Sequence, residues 1–308
     1  MKTLEMIRTP RLFRSALIGM LLLTFSFEAA PAAPDADPYA FRVEVTGDGP
    51  PMLLIPGLAS GGDVWDETVA YYKERYRCHV LTLAGFAGVP ATERTPFLKT
   101  VRDDILAYME ANGVKRPVIV GHSLGGFLAL WVAATAPDAV GPVVVVDALP
   151  FLPAAQTPGV TPEHMEPQAR QMRDMIASRT PEQFRRYEAQ TLPTMISDSA
   201  DVARALETVA RSDPKAVGQA LYELLTTDLR EDLSRITVPV LVIGTWVGYQ
   251  PYATREQVAA MFETQYARLS NARIVLADDA RHFVMYDDLE GMLEEIDAFL
   301  KSIDETAP

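Results

Sequence analysis

The feature that most constrains the fold of this chain is the stretch 118–126, where a buried-looking β-branched run ends abruptly in Gly-His-Ser-Leu-Gly-Gly. A helix-compatible apolar run, 127–134, follows at once. A strand, a sharp turn and a helix form the context in which a Gly-x-Ser-x-Gly motif holds a nucleophilic serine at a strained turn. The residues two positions before and after such a serine need almost no side chain, and here they are Gly121 and Gly125. We therefore take Ser123 as the candidate nucleophile.

Short apolar runs alternate with helical patterns on both sides of this stretch. Alternating strands and helices predict a mostly parallel sheet with helices on both faces, and a chain of 308 residues with 48% hydrophobic residues can bury a substantial core. The further strand-like runs lie at 41–45, 52–55, 79–83, 143–146, 240–243 and 273–277.

The alternation stops in the segment 150–236. No convincing strand occurs there, and four amphipathic runs separated by prolines have the pattern of helices. An all-helical insertion between two strands of one sheet is typical of a lid. We therefore expect a core in two parts, 33–149 and 237–308, with a helical cap at 150–236 between them.

The first residues have the pattern of a targeting segment. A basic start precedes an apolar stretch, 16–27, and the small residues Ala30-Pro31-Ala32 supply a plausible cleavage site. The stretch is too short for a comfortable membrane span, although an uncleaved anchor is the alternative. We predict a signal peptide at 1–32 and a secreted or periplasmic protein that begins near Ala33.

The composition of the chain argues against several classes of partner and cofactor. The formal net charge of −13 argues against a nucleic-acid backbone or an anionic membrane surface as partner. Cys78 is the single cysteine, which excludes an internal disulfide and a cysteine metal cluster. His-Glu-x-x-His, P-loop and Gly-x-Gly-x-x-Gly motifs are absent from the sequence, so we expect no metal and no nucleotide cofactor.

Along nearly its whole predicted mature length, the chain resembles the α/β-hydrolase family. The resemblance rests on the glycine-rich turn Pro56-Gly57-Leu58, the motif 121–125, the helical insertion, and a late histidine in Ala280-Arg281-His282-Phe283. It implies an α/β-hydrolase fold, with a mostly parallel sheet, helices on both faces and a cap inserted late in the sheet. It also implies acyl-bond hydrolysis by residues in the order serine, acid, histidine.

A serine nucleophile needs a base, because its hydroxyl is barely acidic at neutral pH. Of the four histidines, His79 lies in a predicted strand, His164 in the cap, and His122 directly before the nucleophile. His282 follows the last strand, where the family places its base. The resemblance therefore implies that His282 is the base.

The acid departs from the commoner family pattern. The loop 244–250, after the next-to-last strand, contains no carboxylate, whereas some family members carry the acid one strand earlier, where Asp147 stands. A carboxylate at the carboxyl end of a buried strand lies at the edge where α/β sheets place ligands. We expect Asp147 to be the acid, although it could merely cap the entry to the lid. Rival acids are Asp278, Asp279 and, more distantly, Asp63.

Backbone donors and loop aromatics complete the expected site. By resemblance, the N–H groups of Leu58 and Leu124 hold the oxyanion. Four aromatic side chains on loops near the nucleophile are candidates for the substrate pocket, although each could equally be ordinary packing. They are Phe86, Phe151, Trp246 and Tyr249.

These observations predict an exported serine hydrolase that cleaves a small-molecule ester or similar acyl bond through Ser123, His282 and Asp147. The same constellation in this family also supports lactone, amide or C–C hydrolysis and acyl transfer. A non-catalytic ligand-binding protein on the same fold is the alternative from another class, since the usual acid position is empty. Substrate profiling and the effect of losing Ser123 discriminate among these.

Overall fold

The strands of the protein form one seven-stranded sheet in the computed structural model, which describes residues 38–157 and 159–306. Across the sheet the order is β1-β3-β2-β4-β5-β6-β7, and every neighbouring pair is parallel except β1 and β3. The strands are β1 (Phe41–Thr46), β2 (Pro51–Ile55), β3 (Arg77–Leu83), β4 (Val118–His122), β5 (Val143–Val146), β6 (Val240–Thr245) and β7 (Ala272–Ala277). This topology confirms the predicted mostly parallel sheet.

Helices cover both faces of this sheet. Outside the segment between β5 and β6, they are α1 (Asp66–Tyr72), α2 (Phe97–Ala111), α3 (Leu124–Thr135), α8 (Arg255–Gln265), α9 (Val284–Asp287) and α10 (Leu289–Thr306). Side chains of β2 alternate between two hydrophobic clusters, with Leu53 in the cluster that contains Phe127 of α3 and Leu54 in the cluster that contains Tyr72 of α1. Because β4, β5 and β6 are buried along their whole length, their continuous valine-rich runs suit a sheet covered on both faces.

Among the described residues between β5 and β6, the structure contains four α-helices. They are α4 (Pro162–Ala177), α5 (Pro181–Thr191), α6 (Ser199–Val209) and α7 (Pro214–Thr226). Each begins after a threonine or aspartate whose side chain accepts a backbone N–H of the first turn, which explains why the helices start where they do. Prolines at the first helical positions of α4, α5 and α7 separate consecutive helices.

A buried carboxylate ties this helical segment to the core. Glu223 of α7 accepts hydrogen bonds from the backbone N–H groups of Phe97 and Leu98, each at 2.7 Å, at the first turn of α2. Those N–H groups have no acceptor within α2, and the negative charge suits the positive end of the helix dipole. The contact therefore fixes α7 against α2.

The predicted signal peptide, 1–32, lies outside the described residues. Within 38–157 and 159–306, no helix combines the length and the apolar character needed to cross a bilayer.

Candidate active site

Ser123 occupies the sharp turn between β4 and α3. Its φ of 52° lies in the left-handed region that a residue with a Cβ rarely adopts, and its N–H donates to the carbonyl of Val146 at 2.9 Å. A Cβ on Gly121 would collide with the carbonyl of Gly125, and a Cβ on Gly125 would collide with the carbonyl of Ile55. The strained turn is thus possible because its flanking residues are glycines.

Asp147 stands directly after β5, beside the strand that ends at the serine. It also has a left-handed φ of 44°, and its N–H donates to the carbonyl of Ile243 at 2.7 Å. Thr245 at the end of β6 donates to the carboxylate twice, from its backbone N–H and from its hydroxyl, each at 3.0 Å. Neighbouring strand ends thereby hold this carboxylate in one orientation.

His282 follows β7 and precedes α9. Its Nδ1 lies 2.7 Å from Oδ2 of Asp147, and the Asp147 side chain is 9% exposed while the His282 side chain is 27% exposed. An ionised carboxylate can only accept, so Nδ1 carries the proton and donates it to this contact. Nε2 is then the ring nitrogen that can accept a proton. The structure brings Ser123, His282 and Asp147 together around one cavity.

Two of the three rival acids, Asp278 and Asp63, have partners other than His282. Asp278 accepts hydrogen bonds from Nε of Arg255 at 2.6 Å and from Nε1 of Trp246 at 3.0 Å, and the Arg255 guanidinium lowers the pKa of this carboxyl. Asp63 accepts the hydroxyl hydrogen of Thr208 at 2.6 Å. Asp279 is exposed.

His122 braces the His282 segment from the strand side. It is fully buried, and its Nε2 lies 2.9 Å from the backbone carbonyl of His282, which requires that this nitrogen donate. Burial, followed by the neighbouring His282, holds the pKa of His122 well below its usual range. The imidazole therefore stays neutral, with Nδ1 as an unprotonated acceptor. Within the described part of the chain, Nδ1 has no hydrogen-bond partner.

The cavity at these residues has a volume of about 490 Å³ and a mostly apolar lining. Core loops form one side of it and the segment between β5 and β6 forms the other. Its apolar lining includes Leu58, Phe127, Leu149, Leu152, Ile176, Leu192, Met195, Val209, Val217, Leu221, Leu224, Phe262 and Phe283.

The two predicted oxyanion donors, Leu58 and Leu124, follow the carboxyl ends of the neighbouring strands β2 and β4. Leu58 lines the cavity in the turn after β2. Leu124 is the first residue of α3, so its N–H has no acceptor within the helix and lies at the positive end of the helix dipole.

Of the four predicted pocket aromatics, the structure brings Tyr249 alone to the cavity lining. Burial, with a smaller contribution from Asp147, raises the pKa of Tyr249 to about 12, so its hydroxyl stays protonated. Phe86 and Phe151 are fully buried in the core, where complete removal of a large aromatic ring from water lowers the free energy of the folded protein. Trp246 instead directs its indole N–H to Asp278.

Glu188 is a cavity residue that the sequence analysis does not select. It lies on α5 and lines the cavity, and burial raises the pKa of its carboxyl to about 7 against the opposing effect of Arg179. In the sequence, it is one of several charges on an amphipathic helix and carries no signal of its own. No set of three or more His, Cys, Asp or Glu side chains within the described ranges is arranged to hold a metal ion.

Fold and site together define the class of the protein. Residues 52–295 match the model of the alpha/beta hydrolase family, and the chain belongs to this family. The match spans the first buried strand, the serine turn, the helical insertion and the late histidine, so it includes every element that carries the site.

Curated relatives of the chain include proteins that are named as esterases. The chain is 26% identical over 264 residues to a pimeloyl-[acyl-carrier protein] methyl ester esterase from Aliivibrio salmonicida, covering 85% of this chain and 96% of the relative. It is 30% identical over 201 residues to the enzyme of the same name from Vibrio atlanticus, covering 64% and 76% respectively.

Solved structures share the fold at lower identity. The enol-lactonase from Burkholderia xenovorans LB400 superimposes with a TM-score of 0.68 at 19% identity, covering 85% of this chain and 96% of that one. A thermophilic esterase from Thermogutta terrifontis has a TM-score of 0.70 at 18% identity, covering 85% and 93%. These likenesses confirm the α/β-hydrolase fold.

Proposed function

We propose that this protein is an exported serine hydrolase that cleaves carboxylic esters through a Ser123-His282-Asp147 triad. The observation that carries the proposal is the 2.7 Å contact between Asp147 and His282 at the cavity that Ser123 also lines. Ester hydrolysis is further supported by the relatives, which are named as methyl ester esterases.

In the first half of the reaction, Oγ of Ser123 attacks the ester carbonyl carbon while Nε2 of His282 takes the hydroxyl proton. The carbonyl oxygen becomes an oxyanion, which the N–H groups of Leu58 and Leu124 stabilise. Asp147 keeps the imidazole in the required tautomer and stabilises the imidazolium. His282 then returns the proton to the departing alcohol, which leaves an acyl-enzyme on Ser123.

Water reverses these steps in the second half. Nε2 of His282 takes a proton from a water molecule, and the resulting nucleophile attacks the acyl carbonyl. When the second tetrahedral intermediate collapses, the carboxylic acid departs and Oγ of Ser123 regains its proton from His282. The apolar cavity suits this chemistry, because excluding bulk water strengthens the interaction of the backbone N–H groups with the oxyanion.

The proposal that the protein is exported depends on the first residues of the chain. The basic start, the apolar stretch 16–27 and the small residues before Ala33 support a signal peptide. Cell fractionation and N-terminal sequencing test this part. A product that begins near Ala33 in the periplasm or medium supports it, whereas an intact chain confined to the cytosol overturns export and leaves the ester chemistry unaffected.

The central experiment compares hydrolysis of short- and medium-chain p-nitrophenyl esters by the purified mature protein and by Ser123→Ala. We expect turnover in the parent protein that falls to background in the variant, and labelling of Ser123 by a fluorophosphonate. Absence of both turnover and labelling would contradict the proposal. Lactone, amide and thioester substrates assayed in parallel show which acyl bond is cleaved fastest.

A further inference from the structure

Glu188 presents an unpaired carboxylate to the catalytic cavity. It is the one acidic lining residue besides Asp147 among the described residues, and none of those lining residues is a lysine or arginine. Within the same part of the chain, no hydrogen bond or salt bridge holds the Glu188 carboxylate, whereas Asp147 is paired with His282.

Ionisation of the Glu188 carboxyl group is unfavourable at this position in the absence of a ligand. The lining that it shares is mostly apolar and includes Ile176 and Leu192, so the ionised carboxylate loses water without gaining a hydrogen-bond partner. This loss raises the pKa of the carboxyl to about 7. A ligand group that donates hydrogen bonds or carries positive charge would supply the missing partner.

Arg179 attracts the Glu188 carboxylate without forming a hydrogen bond or salt bridge with it. Its attraction opposes the effect of burial on Glu188, yet its guanidinium stacks on the ring of Tyr187, with Cζ 4.0 Å from the ring centroid. Nη1 of Arg179 is buried without a hydrogen-bond partner in the described residues. Arg179 is not a lining residue, whereas Glu188 is, and no hydrogen bond or salt bridge joins the two side chains within the described residues.

We infer that Glu188 is a specificity-determining residue that selects esters carrying an ammonium or hydroxyl group remote from the scissile bond. This inference rests on the proposed ester hydrolysis. The substrate class is an ester whose apolar chain fills the cavity and whose far end donates a hydrogen bond to Glu188. An ester with a carboxylate at that end is disfavoured, because two negative charges would face each other without a cation in the lining.

Matched ester pairs test the inference. One pair is a p-nitrophenyl ester with and without a terminal ammonium on the acyl chain, and the other is an alkyl acetate with and without a terminal ammonium on the alcohol chain. Hydroxyl- and carboxylate-terminated chains of equal length complete each series. We expect kcat/KM to be about tenfold higher for the ammonium ester in at least one series.

Glu188→Gln keeps the shape of the side chain and removes its charge. We expect the preference for ammonium to fall to near unity in this variant. Glu182→Gln is the matched control, because Glu182 lies on the same helix with an 83% exposed side chain and pairs with Arg186 outside the cavity. The control should keep the preference. A parent enzyme that shows no preference, prefers carboxylate esters, or owes its preference to a residue other than Glu188 would overturn the inference.

A binding measurement separates this inference from the proposed function. Calorimetric titration with hexylammonium chloride requires no turnover. Binding that weakens about tenfold in Glu188→Gln and is unchanged in Glu182→Gln supports the inference even if no ester is hydrolysed. Equal binding by the parent and Glu188→Gln, or no binding by either, overturns it while leaving the ester hydrolysis unaffected.

Discussion

The Asp147 carboxylate lies 2.7 Å from Nδ1 of His282, although the two residues are separated by 135 positions in the chain. The contact arises because β5 and β7 run parallel with β6 between them, so both residues follow the carboxyl ends of strands on one edge of the sheet. Thr245 at the end of β6 completes the arrangement by donating two hydrogen bonds to the same carboxylate.

Replacing Asp147 by Asn tests the proposed acid. The amide cannot stabilise an imidazolium and favours the wrong tautomer of His282, so we expect kcat on a p-nitrophenyl ester to fall by roughly four orders of magnitude. Asp278→Asn is the matched control, because Asp278 pairs with Arg255 instead of the histidine, and it should keep near-normal turnover. Comparable losses in the two variants, or a loss confined to Asp278→Asn, would place the acid elsewhere.

Asp287 joins the His282 segment to the segment between β5 and β6. Its carboxylate accepts hydrogen bonds from the N–H of Ser197 at 2.8 Å, the hydroxyl of Ser197 at 2.9 Å and the N–H of Arg281 at 2.9 Å. Arg281 in turn donates to the carbonyl of Pro193 at 2.6 Å. These contacts hold the residue before His282 in place.

We therefore expect Asp287→Ala to lower kcat by roughly ten- to a hundredfold, because small displacements of a catalytic group are costly. KM should change less than kcat, since Asp287 does not line the cavity. Asp279→Ala is the control, because Asp279 lies on the loop that leads to His282 and is exposed. An Asp287→Ala enzyme with normal kcat and altered KM would contradict a positioning function.

The neutral state of His122 predicts how stability depends on pH. The pKa of His122 is held well below 6.5 in the folded protein, so below about pH 6.5 the unfolded chain binds a proton that the folded chain does not. The free energy of unfolding should therefore decrease as the pH is lowered through that range, by up to about 1.4 kcal/mol per pH unit from this group. Urea unfolding at several pH values measures the slope.

His122→Gln should remove this contribution, because an amide does not titrate. The readout is the difference between the slopes of the parent and the variant, since the lowered pKa of His79 acts in the same direction and the raised pKa of Glu188 acts in the opposite one. Parallel slopes would show that His122 does not titrate differently in the two states.

The serine turn predicts a strict requirement at Gly125. A Cβ there would collide with the backbone carbonyl of Ile55, which cannot move away as a side chain could. We expect Gly125→Ala to lower the free energy of unfolding by about 2 kcal/mol or more. Gly248→Ala is the control, because no atom lies within 4 Å of its added Cβ. Equal thermal stability of the two variants would be inconsistent with a crowded turn.

Much of the fold could be predicted from local sequence patterns. The four amphipathic runs in the segment between β5 and β6 form helices, as their periodicity predicts, and threonine, aspartate and proline mark where these helices start. The pocket aromatics could not be predicted in the same way. Phe86 and Phe151 lie on loops next to the site, and only packing decides whether such a ring faces a cavity or the core.

Local sequence patterns predict the strands, the sharp turn at Ser123 and the resemblance to the α/β-hydrolase family, because these patterns depend mostly on residues that are close together in the chain. Tertiary structure decided which carboxylate reaches His282, since Asp278 is four residues away along the chain yet pairs with Arg255, whereas Asp147 is distant along the chain and adjacent in space. It also decided that Glu188 faces the cavity. Helical periodicity shows that a residue lies on the polar face of a helix. Only the packing of that helix on the core determines whether this face contacts solvent or a cavity.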